Sequence, residues 1–170
     1  MRPLPKLPRR ALAALALACA LVALSPTAAV ARPLRPPQEG GAFTAKVEGF
    51  LLQSGYEFSR VKTNSWYINK TGTQLSQIRV LVGAGPNSIA IGAVVVPKAR
   101  LRITAESMFK MMKLSYDFNY VRICIDPDDD LLVLEQVKER HLDLAHFKEV
   151  VERVAAAADR AYGEMRPFMN

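Results

Sequence analysis

An α+β domain is the fold class that the sequence predicts, in the order helix, antiparallel strands, helix, two strands, helix. Three observations carry it. Apolar residues recur at helical spacing in three separated places. Between them lie short runs rich in Val, Ile, Trp and Tyr, several with alternating polarity. Short segments of Gly, Pro, Asn and Asp join these runs, which suits antiparallel hairpins better than the long crossovers of a parallel sheet.

The first 31 residues read as an address. Arg2, Lys6, Arg9 and Arg10 precede the uncharged apolar run 11–24, and Ala29-Val30-Ala31 follows Ser25-Pro26. A basic start, a short apolar stretch and a small-residue site describe a Sec-type secretory signal peptide, with cleavage after Ala31. The run is short for a membrane span, which takes about 20 residues. The expected location is periplasmic or secreted, with no stable membrane span after cleavage; retention as an anchor is the alternative. Residues 32–42 hold three prolines and two glycines and read as a linker. The folded domain is expected over 43–165.

Phe43, Val47, Phe50 and Leu51 form one stripe of a first helix, and Gly55 suits its stop. Strands are expected over 56–61, 65–70, 78–82 and 89–96. The last of these is apolar on both faces, as in a central strand, one covered on both sides, or a subunit contact. Pro97 ends the meander, and Thr104 is a candidate cap for a second helix with the stripe Ala105, Met108, Phe109, Met112 and Tyr116. That spacing assigns Met108 and Met112 to the core and leaves Met111 as the exposed contact. Two strands, 120–125 and 131–137, flank the turn Pro127-Asp128-Asp129-Asp130. Asp143 caps a last helix with the stripe Phe147, Val151, Val154, Ala158 and Ala161/Tyr162, ended by Gly163 and Pro167.

The chain carries 23 Lys+Arg against 16 Asp+Glu. The first 31 residues contribute four basic residues and no acidic one, so the remainder is only mildly basic and gives no reason to expect nucleic acid. Cys19 lies in the apolar run and Cys124 stands alone in the domain, which excludes an intrachain disulfide and any Cys-x-x-Cys pair there. Asp126, Asp128 and Asp130 fit the start of a calcium loop, but Leu131 and Val137 fill the places of its glycine and bidentate glutamate. His141 and His146 are five residues apart and share no helical face. Gly83-Ala84-Gly85 lacks the third glycine of a dinucleotide loop, and there is no Gly-x-Ser-x-Gly elbow. Lys98, Arg100 and Arg102 form a compact basic segment able to meet an anion or an acidic protein, or simply to be a solvated connector. No catalytic, cofactor-binding or metal-ligating residue is assigned.

The segment 112–126, MKLSYDFNYVRICID, resembles the central motif of the YbjN family of sensory transduction regulators. There, a helix ending in leucine and a small polar residue leads into a strand with a basic residue, then an acidic turn. The turn 126–130 before Leu131-Leu132-Val133-Leu134 is similar too, as are Phe147-Lys148-Glu149-Val150-Val151 and Ala157-Ala158-Asp159-Arg160 to the family's last helix. The resemblance covers about residues 43–165. It implies a type III secretion chaperone-like fold, whose members are small, non-catalytic, often dimeric and in some cases bind extended segments of other proteins.

Together these readings predict an exported, non-catalytic module without cofactor or metal. It would bind a protein partner and pair as a homodimer, with Met111, Lys98, Arg100 and Arg102 as candidate contacts. An envelope sensor for a small ligand or an anion is the alternative.

Overall fold

A computed structural model describes residues 41–170. The expected signal peptide, and the expected linker apart from its last two residues, lie outside the described residues. Helix α1 (Ala42–Ser54) stops at Gly55, whose φ of 79° is the left-handed conformation that glycine adopts without penalty. Strands β1 (Phe58–Lys62), β2 (Ser65–Lys70), β3 (Ile78–Ala84) and β4 (Ser88–Val96) follow as a meander. Helix α2 (Ala105–Asp117) is capped by Thr104, whose hydroxyl accepts the Ser107 N–H while the Ser107 hydroxyl accepts the Thr104 N–H. Strands β5 (Arg122–Ile125) and β6 (Leu131–Lys138) form a hairpin, and helix α3 (Leu144–Met165) starts at Asp143, which caps the His146 N–H.

The expected element order and the α+β class are both found. The six strands form one antiparallel sheet in the order β1-β2-β3-β4-β6-β5. β6 therefore sits innermost in its hairpin, beside β4, and α2 carries the chain from β4 to the far edge.

Period-two alternation divides the sheet into two faces. Trp66, Ile68, Val80, Val82, Ile89, Ile91, Leu131 and Val133 point to one side and are fully buried. Helix α3 covers them with Phe147, Val150, Val151, Val154, Ala158 and Ala161, all fully buried. Helix α1 packs on α3, with the Phe50 and Phe147 ring centroids 5.9 Å apart. At about 1.5–3 kcal/mol per large buried side chain, this helix-covered layer dominates the stability.

Among the described residues, no helix lies over the other face. Strand β4, apolar on both sides, is central; Ile89, Ile91, Ala93, Val95 and Val96 are buried, while Val94 is 47% exposed. Gly163 does not end the last helix as expected. The helix runs on to Met165 because Gly163 is a point of close approach: a Cβ there would stand 3.0 Å from Gln74 Cγ in the β2–β3 loop. The same loop is held by Asp159 of α3, whose carboxylate accepts the N–H groups of Thr73, Gln74 and Leu75 and the Thr73 hydroxyl.

Candidate functional site

Helix α2 has two apolar faces. Ser107, Met111 and Leu114 recur at i, i+4 and i+7; Ser107 and Leu114 are buried, and Met111 packs partly buried against the core. Met108, Phe109, Met112 and Tyr116 form the second face, and it points outward with exposures of 53, 61, 69 and 90%. This reverses the expectation for the methionines. Met108 and Met112 are surface residues, and Met111 is the one turned inward. Both stripes are on the helix, and only one can meet its own sheet. The broader one was read as the core side because periodicity carries no information about which neighbour covers it.

The basic segment forms a single 3-10 turn at Lys98–Arg100 and the residues after it. Its side chains have separate anchors. The Lys98 ammonium pairs with Asp129, and its backbone N–H donates to Asp130 Oδ1 at 2.7 Å. Arg100 reaches the Tyr162 hydroxyl at 3.3 Å, and Arg102 donates to the Pro167 carbonyl at 3.1 Å. The acidic turn is occupied internally as well: Asp126 Oδ1 accepts the N–H groups of Asp128 and Asp130, each at 2.9 Å. Asp129 has a φ of 66°, a left-handed turn position that Asp tolerates better than most residues.

A polar cleft at the end of the sheet went unread in the sequence. Glu135 lies on the helix-covered face of β6, is 5% exposed, and accepts both Nε and Nη2 of Arg153, at 2.9 and 3.0 Å. Arg153 also donates to Glu149 at 2.8 Å and lies 5.0 Å from the centroid of the Tyr120 ring. The signal was present: Glu135 is the one charged residue among the inward positions Leu131, Val133, Glu135 and Val137 of β6. His141 and His146, which share no helical face, nonetheless line this one cleft of about 650 Å³, because His141 precedes the helix. Arg140 Nε donates to His141 Nε2 at 2.9 Å, and His146 Nδ1 is 2.7 Å from the His141 carbonyl oxygen. The Glu135 carboxylate is fork-bonded to the Arg153 guanidinium, so this pair reads as an ionic clamp between β6 and α3.

Cys124 lies half-buried on the uncovered face of β5, opposite Leu132. Burial raises its thiol pKa; the nearby Arg122 charge opposes this in part, and Asp126 adds a still smaller upward push. A raised pKa makes it a weak nucleophile at neutral pH.

No family model matches the chain, and no curated protein matches it. Solved structures do. The crystal structure of YbjN, a proposed transcription regulator from E. coli, superposes with a TM-score of 0.56 at 12% identity, over 75% of this chain and 94% of that one. A chain of the heterodimeric ExoU–SpcU complex from the type III secretion system of Pseudomonas aeruginosa gives 0.51 at 10% identity, over 71% and 98%. A chain of the ExsC–ExsE complex gives 0.50 at 12%, over 75% and 93%. The chain therefore has the YbjN-like, type III secretion chaperone-like fold that the sequence resemblance implied.

Proposed function

We propose that this protein is an exported, non-catalytic protein-binding module that works as a homodimer paired through α2. The observation that carries this reading is the outward stripe Met108, Phe109, Met112 and Tyr116. An apolar row of this size on a surface helix is a recognised mark of an interaction site. Its flanking charges suit a second copy. Glu106 and Lys113 lie seven residues apart on nearly the same face. An antiparallel crossing centred near Phe109 sets Glu106 of one copy against Lys113 of the other, so the surface is self-complementary about a two-fold axis. Methionine side chains adapt to such contacts at low strain. Two of the structures that share the fold are complexes of two different proteins, which supports a protein partner here too.

Light scattering tests the pairing. The purified chain is expected to be dimeric at tens of micromolar, roughly the range of an ordinary stable dimer. The double variant Phe109→Glu, Met112→Glu is expected to be monomeric with an unchanged circular dichroism spectrum. A monomeric wild-type chain overturns the reading. The export part has its own check: N-terminal sequencing of chain recovered from the cell envelope is expected to start at Arg32.

A further inference from the structure

The uncovered face of the sheet has a chemistry distinct from that of α2. Leu81, Gly92 and Leu134 are cross-strand neighbours on β3, β4 and β6, as are Gly83, Ala90 and Gln136. The small residues Gly83, Ala90 and Gly92 make a low floor along β4. Leu81, 40% exposed, stands on one side and Leu132 and Leu134 on the other, and Val94 lies at one end. The result is an open apolar trough of about 490 Å³. The β3–β4 ladder ends at Val80↔Ala93, whereas β4 stays paired to β6 as far as Val96↔Leu131, so the trough opens at that end toward Gln77, Arg100 and Tyr162.

The charges that the described strands place on this face have one sign. The register places Lys62, Arg79, Arg122 and Lys138 on the uncovered face, and no Asp or Glu of any strand points there. Arg79 is held in place by stacking on Tyr67, 4.4 Å from the ring centroid. Among the described residues, Arg79, Arg100 and Arg122 make no ion pair. The one carboxylate lining the trough is that of Asp126, whose Oδ1 already takes two backbone N–H groups of its own turn.

We propose that this trough receives a single extended segment of another protein, aliphatic and acidic in composition. Its aliphatic side chains would lie over Leu81, Gly92, Val94 and Leu132, and its carboxylates would reach Arg79, Arg100 and Arg122. A second copy is the wrong occupant. Face to face it would set these arginines against one another in a desolvated contact, where like charges repel. The second copy has a better place on α2. A floor one strand wide matches an extended chain, in which alternate side chains enter and leave the trough. This inference rests on the protein-binding reading and adds the partner's chemistry and the face that meets it.

The test is selection from a displayed library of random peptides, about twelve residues long so as to span the sheet, against the full purified chain. The expected winners are enriched in Asp and Glu together with Val, Leu and Ile. Their binding should fall about ten-fold or more with Arg79→Glu and with Arg122→Glu, and should weaken as salt is raised. Enrichment of basic or composition-neutral peptides overturns the proposal, as does undiminished binding to both variants. Peptides that bind but are lost on Met112→Glu and kept on Arg79→Glu overturn it while sparing the protein-binding reading. If no peptide of any composition is enriched, this proposal falls, while the pairing through α2 stands or falls on light scattering. A dimer that survives Phe109→Glu and dissociates on Val94→Arg assigns the trough to a second copy and likewise overturns the proposal.

Discussion

Helices α2 and α3 look alike in sequence and do opposite things. Each is amphipathic, each is capped by a side chain at its first turn, and each follows a strand. Helix α3 buries nine residues along 22 and is the wall of the core, whereas α2 buries two along 13 and turns its larger apolar stripe to solvent. The contrast shows that an apolar stripe reports the existence of a contact and says nothing about whether the contact is within the chain. In α3 the stripe is used for folding. In α2 folding takes the narrow side, through Ser107, Met111 and Leu114, and leaves the broad one exposed.

The largest expected effect lies on the α3 side of this comparison. Phe147→Ala removes a fully buried ring from between α1 and the sheet and should cost about 3–5 kcal/mol in urea unfolding. Phe109→Ala, the same chemical change on α2, should alter the unfolding free energy of a dilute, monomeric sample by about 0.5 kcal/mol or less. If the proposed pairing through α2 holds, the two should converge in part at high protein concentration, because loss of the Phe109 ring would then also remove a dimer contact and its contribution by mass action. Equal losses for both variants in dilute solution would erase the distinction between the helices.

What was legible in the sequence follows the same line. Features fixed by local chemistry were read correctly: the Gly55 stop, the Thr104 and Asp143 caps, the boundary at Pro97, and the alternation that puts Trp66 and Ile68 on one face. Features set by a distant neighbour were not. Gly163 looked like a helix stop, and it takes Gln74, far away in sequence, to make it a close approach. Met111 and Met112 are adjacent and chemically identical, so only the position of the sheet decides which is inside. The Glu135–Arg153 clamp needs the β6–α3 packing before the charge in an apolar strand makes sense. For the candidate sites, the type of surface could be read, since apolar stripes and basic positions are local. Their orientation could not.

A middle-sized effect sharpens the comparison at the polar edge of α3. Burial alone would raise the Asp159 carboxyl pKa, but hydrogen bonds from the Leu75 N–H, the Thr73 hydroxyl and N–H, and the Gln74 N–H hold it at about 2. Asp159→Asn should therefore destabilise the chain by about 1–2 kcal/mol at neutral pH. The sign of the pH dependence follows from a depressed acid. The stabilisation is complete above the ordinary carboxylate range, near pH 4, and is lost as pH falls toward 2. Unfolding curves of wild type and Asp159→Asn should thus converge on acidification. A gap that stays constant down to pH 2 would mean that loop β2–β3 does not depend on this charge.

The smallest effect concerns how α2 is tied down. Its polar links to α3 are two surface pairs, Lys110–Glu164 at 2.5 Å and Arg160–Asp117 at 2.7 Å, with side chains 33–50% exposed. Exposed pairs of this kind contribute about 0.5 kcal/mol or less and are screened by salt. Lys110→Ala and Arg160→Ala should each change the unfolding free energy by no more than that, and the change should vanish in about 1 M salt, where the Debye length is near 3 Å. The apolar face of α2 should respond in the other direction, since an excluded salt such as sulfate strengthens burial of apolar surface. A helix held by weak, screened pairs on one side and by an apolar stripe on the other should thus be fixed mainly by its dimer partner. Hydrogen exchange along α2 should slow as the protein concentration rises, while exchange along α3 stays unchanged; exchange in α2 that ignores concentration would mean that its own fold holds it and that the outward stripe has no part in keeping it in place.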